Sequence, residues 1–397
     1  MEAIHLESLG TIMNVSMKQD TTQRIHSWDH FRDAIIFLVF IWHCASIYGS
    51  RTRNRWFFSD QETGILFDIF VFASELFLMP LLFYISGHFA VASIEKRGAG
   101  SFLADKARRL LIPFVFGVAL LIPINFYLNR RAQGSISPGY FRYWIGTYFA
   151  QDIGPAHLWF LYVLFFFCAV YAALWAAHRW LAQGKSSLFD VPSEPRPFFL
   201  LVFGLLTAMA MTVAMRAAGY ASWAHVFGFP LFAYQPSRCA LYVFYFFLGV
   251  YGAMRGWTWA NGSRVHVAAW ASLLGCASVG LMVFRARFGA HVEGSLWLIL
   301  CNAILHAFAT LGALGAFATG FRLWCNRPFP LTRLFTANSY GIYIVHQPIL
   351  VWLQYLLLGI RISAYLKFVI VFAVAFPLSL LASHFVLRRL PVLRNVL

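Results

Sequence analysis

Residues 32–49 read Arg32-Asp33-Ala34-Ile35-Ile36-Phe37-Leu38-Val39-Phe40-Ile41-Trp42-His43-Cys44-Ala45-Ser46-Ile47-Tyr48-Gly49, an apolar run with a cation near one end and a histidine inside it. Taken as a helix, Arg32 and His43 are eleven residues apart, three turns plus roughly 20°, so they share a face and lie about 16 Å apart along the axis. One residue belongs at a membrane surface and the other belongs deep inside. An ionisable group in the apolar middle of a spanning helix is costly and points by default to function. The competing reading is a neutral, hydrogen-bonded histidine that packs helices, and the rest of the chain must decide between the two.

Of 397 residues 60% are hydrophobic and only 12% charged, with a mean hydropathy of +0.67. A soluble globular chain carries about twice that share of charge, so the composition predicts a polytopic membrane protein. The formal net charge of +16 does not point to nucleic acid, because the basic residues form short clusters between apolar runs. Anionic headgroups, bilayer orientation and anionic ligands account for them. The six cysteines show no paired spacing, which argues against a disulfide framework or a zinc site. Residues 1–30 are polar and mixed, without a charged start, an apolar run and a small-residue cleavage site. The first span is therefore expected to serve as its own insertion signal.

At about 20 apolar residues per crossing, candidate spans fall near 33–50, 65–92, 110–128, 157–178, 198–216, 239–254, 265–285, 296–321, 335–358 and 364–387. The expected fold is an all-α polytopic membrane protein of about ten transmembrane helices in a single bundle. It comprises a tail over 1–30, a membrane domain over 31–388 and a short tail over 389–397. The sixth span is short, and 219–236 is an aromatic, Gly- and Pro-containing connection suited to the interface. Most of the 31 lysines and arginines fall on the side of the N-terminus, Lys18, Arg24 and Lys185 among them, against Arg51, Arg53 and Arg55 on the other. The positive-inside rule then puts both termini in the cytoplasm of a plasma, or bacterial inner, membrane.

This topology sets depths. His43 and His346 lie near mid-membrane, and the second span adds Asp68 and Glu75, seven residues apart on nearly one face. Ionisable groups from three spans favour a polar cavity over isolated packing groups. Arg32, Lys106, Arg108 and Arg109 gather at cytoplasmic helix ends. A topogenic loop touching anionic lipid explains such a cluster, and so does a phosphate site held by arginine forks. Ser86-Gly87 allows either close helix packing or the passage of a ligand chain beside the backbone. His88 fits a solvated boundary position. Interfacial anchoring explains Trp159 but not the neighbouring His157. Pro348 removes a helix hydrogen bond just beyond His346. His26, Asp29 and His30 have a metal-like spacing without a third convergent ligand, so a surface role is favoured. P-loop, GxSxG and GxGxxG elements are missing from the sequence, which excludes soluble nucleotide-binding and hydrolase folds.

From about residue 24 to 387 these pieces together resemble the acyltransferase-3 family of integral membrane acyltransferases. They are Arg32 with ten residues before His43; Phe83-Tyr84-Ile85-Ser86-Gly87; the basic run Lys106 to Arg109 leading into Leu110 to Pro113; His157-Leu158-Trp159-Phe160-Leu161; and Ser339-Tyr340 through His346. The sequence departs from the family at His88, where an aromatic usually follows Ser-Gly, and at Lys106, where Arg-x-x-Arg appears as Lys106-Ala107-Arg108-Arg109. Lysine keeps the charge and loses the fork. The layout also looks like the branch that succinylates periplasmic glucans.

The resemblance implies a cytoplasmic acyl-CoA donor, acetyl-CoA or succinyl-CoA, and an acceptor hydroxyl on an outer glycan or glycolipid. Arg32, Lys106, Arg108, Arg109, Ser86 and Gly87 are then expected to hold the donor, and His157, Trp159, Tyr340 and His346 the acceptor. Membrane lipid is the expected surrounding, with no nucleic acid and no metal. His43 is expected to act as general base, since an imidazole titrates near working pH, with Glu75 orienting it as a carboxylate does in a triad. A double-displacement route through an acyl-enzyme is the alternative chemistry. A proton-coupled secondary transporter is the alternative function, although the paired broken helices common in transporters are not evident.

Overall fold

The computed structural model describes residues 26–51, 56–135, 139–181, 194–220, 222–259, 261–327, 330–394 and 396. Most of the expected N-terminal tail, together with Lys18, Arg24, Arg53, Arg55 and Lys185 of the charge asymmetry, lies outside the described residues.

Helix α1 spans His26–Ala45 and buries Phe31, Ile35, Val39 and His43 at four-residue intervals, so one continuous stripe faces the bundle. It tightens into a 3₁₀ turn at Ser46–Tyr48 and stops at the extended Gly49. Its last carbonyls have no partners within the helix. Gln354 supplies two of the missing donors, its amide reaching the His43 and Cys44 carbonyl oxygens at 3.3 and 3.2 Å.

Next come α2 (Ile65–Glu75) and α3 (Leu78–Lys106), separated by a break at Leu76 and Phe77. The break frees the Leu76 carbonyl, which accepts a 2.8 Å hydrogen bond from Thr310. Asp68, expected to line a polar cavity, is used locally instead. Its carboxylate accepts from the Ser50 hydroxyl and from the Ser50 and Arg51 backbone N–H groups, which fixes the loop after α1.

Helical backbone runs almost unbroken over Ile65–Ala132, 68 residues. A straight helix of that length would reach about 100 Å, against a bilayer core of about 30 Å. Gly98 resolves this, because its φ of 76° leaves the helical region. The two arms run in opposite directions. Trp28, at the start of α1, meets Tyr84 and His88 near the end of the first arm, while Trp42, at the far end of α1, meets Val71. The second arm continues through π-type turns at Ala107–Leu111 and Gly117–Leu121 into α4 (Pro123–Ala132).

Then follow α5 (Trp159–Leu181), α6 (Pro197–Ala218), α7 (Pro236–Met254), α8 (Arg264–Phe288), α9 (Leu296–Trp324), α10 (Pro330–Leu356) and α11 (Ala364–Leu381). Among the described residues eight helical runs are long and apolar enough to cross a membrane. Counting Ile65–Ala132 as two arms folded back at Gly98 and adding the 27-residue α10 gives ten long helical passes among the described residues. The sixth, expected to be short, begins at Pro236 and at 19 residues is the shortest of the eight candidate runs. The 219–236 connection holds a two-residue antiparallel pairing, Ala224 opposite Tyr234 and His225 opposite Ala233.

Without a hydrophobic force between helices inside lipid, close approach depends on small residues. The α3–α7 contact uses two glycines reciprocally. A Cβ at Gly87 would lie 2.0 Å from the Phe246 carbonyl oxygen, and one at Gly249 would lie 2.0 Å from that of Tyr84. Gly87 thus serves the close approach of α3 to α7. Gly312 and Gly315 seat α9 against Leu274 and Trp270 of α8 in the same way.

Candidate active site

A cavity of about 540 Å³ lies among α1, α2, α3, α5, α6, α7, α9 and α10, beneath the 219–236 connection, which contributes Tyr220, Trp223, Tyr234 and Gln235. His43 and His157 line one part of it, and Glu75, Arg238 and His306 line another.

Three histidines from three separate segments converge here. His43 comes from the buried stripe of α1, His157 from the 3₁₀ turn Ala156–Leu158 that opens α5, and His346 from α10 two residues before Pro348. Their exposures are 8%, 5% and 1%. Ring centroids lie 4.9 Å apart for His43 and His346, 4.9 Å for His157 and His346, and 6.2 Å for His43 and His157.

The hydrogen bonds give each ring a different role. Nδ1 of His346 lies 2.8 Å from the Tyr343 carbonyl oxygen and 3.2 Å from that of Ile342. A carbonyl can only accept, so the His346 proton is assigned to Nδ1 and Nε2 is left as an acceptor. That Nε2 lies 3.1 Å from Nδ1 of His43, which also faces the Val39 carbonyl oxygen at 2.9 Å. Nδ1 of His43 therefore carries a proton shared between two acceptors, and its Nε2 keeps a lone pair on a residue lining the cavity. Both nitrogens of His157 face oxygen acceptors, Nδ1 2.8 Å from Gln347 Oε1 and Nε2 3.2 Å from the Ile344 carbonyl oxygen, so the neutral ring donates to one of them and neither nitrogen is turned to the cavity as a free base. Of the three, His43 is the ring whose geometry suits proton transfer.

Glu75 lies elsewhere than the sequence suggests. Its carboxylate meets Arg238 at 2.5 Å, and the groups that hold the His43 ring are the Val39 carbonyl and His346. Glu75 still lines the same cavity. Trp159 lines it too, its ring 5.4 Å from that of Tyr242 and nearly parallel. Tyr340 is apart from this cavity, its hydroxyl donating to the Arg109 carbonyl oxygen at 2.5 Å.

α1 and α10 run side by side in the same direction, as the Phe37–Phe335 and His43–His346 contacts show. Counting back from the histidines, Arg32 lies eleven residues along α1 and Tyr340, with Arg109, six residues along α10. The basic residues thus occupy the end of the bundle away from the 219–236 connection. Several are already paired. Arg32 meets Asp33 at 3.2 Å and Asp29 at 3.8 Å, Arg97 and Arg109 share Asp105, and Lys106 lies over the Phe102 ring. Arg108 reaches its own Ala104 carbonyl at 3.4 Å. Ser86 and Gly87 do not line the cavity. His88 is packed rather than solvated, its ring 4.5 Å from that of Trp28. His26 and His30 stack on each other, and His30 meets the Arg327 carbonyl oxygen. No cluster of three or more His, Cys, Asp or Glu among the described residues is placed to hold a metal.

Sequence reasoning missed several supporting residues. Gln347 bridges Asn125 and His157, and Gln354 ties the end of α1 to Trp56. Arg238 and His306 went unnoticed, although a cation and a histidine in apolar spans were signals for both.

A family model described as an acyltransferase domain, that of the acyltransferase-3 family, matches residues 25–384. No curated protein and no solved structure matches the chain.

Proposed function

The chain belongs to the acyltransferase-3 family and is a membrane acyltransferase; from that premise we propose that it moves an acetyl- or succinyl-type group from a cytoplasmic acyl-CoA to a hydroxyl of an extracytoplasmic glycan or glycolipid. The observation that carries this reading is His43 itself: a cavity-lining imidazole whose Nδ1 is held by Val39 and His346 and whose Nε2 has no partner among the described residues.

In the proposed reaction the acceptor hydroxyl gives its proton to His43 Nε2 as its oxygen bonds to the thioester carbonyl carbon. The carbon–sulfur bond then breaks, and the coenzyme A thiolate leaves and takes the proton back from the imidazolium. General base catalysis of this kind contributes about two to four orders of magnitude. Arg32, Lys106, Arg108 and Arg109 are the proposed holders of the donor's phosphates. The axial gap of about 16 Å between Arg32 and His43 suits a ligand with an anionic head at the surface and a thioester in the membrane. Both termini lie in the cytoplasm in this arrangement, and the cavity opens on the acceptor's side.

The test uses the full chain in sealed vesicles with radiolabelled acyl-CoA on one side and a glycan acceptor on the other. Label transferred to the glycan without net uptake of acyl-CoA is the expected result. Uptake without acylation would overturn it in favour of a transporter.

A further inference from the structure

A base that takes a proton inside a membrane must carry the charge that arrives with it. In a triad a carboxylate answers that charge. Among the described residues, however, the hydrogen-bond partners of the His43 ring are the Val39 carbonyl oxygen and the neutral His346, and Glu75 is paired with Arg238. What closes on the ring is indole. Trp42, the preceding residue on α1, has its ring centroid 4.9 Å from that of His43 with the planes at 86°, and Trp56 lies at 5.4 Å and 47°. A cation within about 6 Å of a tryptophan ring centroid is attracted by the negative face of the ring, most strongly where water is excluded.

Trp42 is near His43 because it adjoins it in sequence. Trp56 is brought there by the loop between α1 and α2, and the fold holds that loop at several points. The indole N–H donates to Gln354 Oε1 at 2.8 Å, and the Gln354 amide donates to the His43 and Cys44 carbonyl oxygens. The indole is thus tied to the same turn of α1 that carries the imidazole. Further along, the Asp60 backbone N–H donates to the Ile47 carbonyl oxygen at 3.3 Å and that of Gly64 to the Tyr48 carbonyl oxygen at 3.0 Å, while the Asp60 carboxylate is buried against Lys367. Phe57 packs on Phe126 and Phe58 on Tyr355, with ring centroids 5.5 and 6.0 Å apart. The indole is in place before any proton moves, and a preorganised group costs no rearrangement at the moment of reaction.

From this geometry we infer that Trp56 is a positioning residue that acts through His43, a role that rests on the general-base reading of His43. Its π face stabilises the imidazolium that forms when Nε2 takes the acceptor's proton and disappears when the coenzyme A thiolate takes that proton back. The neutral ring of the resting protein gains little from the same face. The stabilisation therefore belongs to the transition state, which places it in kcat and leaves both KM values unchanged. Trp42 lines the cavity and Trp56 stands outside its lining, so a change at Trp56 alters the surroundings of His43 without altering the cavity surface.

Site-specific replacement of Trp56 by tryptophans bearing one to four ring fluorines tests this in the full chain in lipid nanodiscs. Each fluorine withdraws charge from the ring face at nearly constant size. It also makes the indole N–H a better donor to Gln354, so a loss of rate cannot come from a weakened tether. The logarithm of kcat for acyl transfer is expected to fall steadily along the series, by roughly two- to thirtyfold at its end, with both KM values and the unfolding temperature unchanged. The same series at Trp144, whose N–H donates to the Ala119 carbonyl oxygen, is expected to be flat. Trp56→Leu should lose at least as much kcat as the last member of the series, and Trp56→Phe less. Intact transfer along a flat series at Trp56 would overturn the inference and leave His43 as the base, with Trp56 serving only to pack the loop. An equal fall at Trp144 would also overturn it. No transfer by the native protein would remove the general-base reading and the role of Trp56 together.

Discussion

Nε2 of His346 lies 3.1 Å from Nδ1 of His43, and the two residues are separated by 303 positions in the chain. Since His346 Nδ1 already faces two carbonyl oxygens, the contact selects the His43 tautomer with its proton on Nδ1. The ring proposed as the general base is thereby held with Nε2 bare.

His43→Ala is expected to lower acyl transfer by about two to four orders of magnitude with little change in the thermal unfolding temperature. His346→Ala removes one of two acceptors on His43 Nδ1, worth about 1 kcal/mol, and should lower kcat roughly fivefold while leaving both KM values in place. Steady-state kinetics on the purified variants checks this. A His346→Ala variant as inactive as His43→Ala would give His346 a direct chemical role.

Among the basic residues at the far end of the bundle, Arg108 is bonded only to its own helix's Ala104 carbonyl in the described contacts, whereas Arg109 is held by Asp105. Arg108→Ala should raise the acyl-CoA KM by roughly tenfold or more, the worth of one charge-assisted hydrogen bond to phosphate, and Arg109→Ala by less. Unchanged donor KM in both would reduce these residues to determinants of topology.

Gly87→Ala places a methyl where the Phe246 carbonyl oxygen already sits. The α3–α7 contact must open, and the expected outcome is a lower unfolding temperature and less folded protein on size-exclusion chromatography. Specific activity of the surviving folded fraction should change far less. Selective loss of donor affinity would instead return Gly87 to the ligand path.

Lys367 and Asp60 form an ion pair with both side chains 1% exposed, the ammonium reaching both carboxylate oxygens at 2.8 and 2.7 Å. Lys367→Met leaves a carboxylate buried without its partner and should destabilise the protein by about 3–5 kcal/mol. Adding Asp60→Asn should recover much of that loss, measured by thermal unfolding in detergent. Additive losses would mean that the two residues act independently.

Single cysteines test the orientation. His225→Cys lies in the exposed 219–236 connection and Lys96→Cys on the exposed surface beside Gly98. A membrane-impermeant maleimide added to intact cells should label the first and spare the second, with the native chain as background. The reverse pattern would invert the bundle and turn the proposed acceptor side toward the cytoplasm.

Hydropathy and a few ordered motifs made much of this protein legible in one dimension. The apolar runs alone predicted ten crossings, because burying backbone in lipid requires helices of a set length. Arg32, His43, His157 and His346 were recognisable as residues too polar for their surroundings. Partners were not legible, because a pairing across a bundle depends on helix rotation and depth rather than on neighbours in sequence. Glu75 was matched to His43 on depth alone, yet the fold gives it Arg238 from a helix 163 residues away. Asp68 looked like a cavity residue and ties down a loop. Ser86-Gly87 left two readings open, and only the fold shows the Phe246 carbonyl packed against Gly87.

The sequence by itself thus determined the class of the fold, the number of crossings and the histidines worth attention, since each follows from the transfer energetics of single segments. Only the tertiary structure decided which histidine keeps a lone pair toward the cavity and which cations are already paired. Those outcomes depend on lone pairs and protons brought within about 3 Å by packing, a distance that no property of an isolated helix sets.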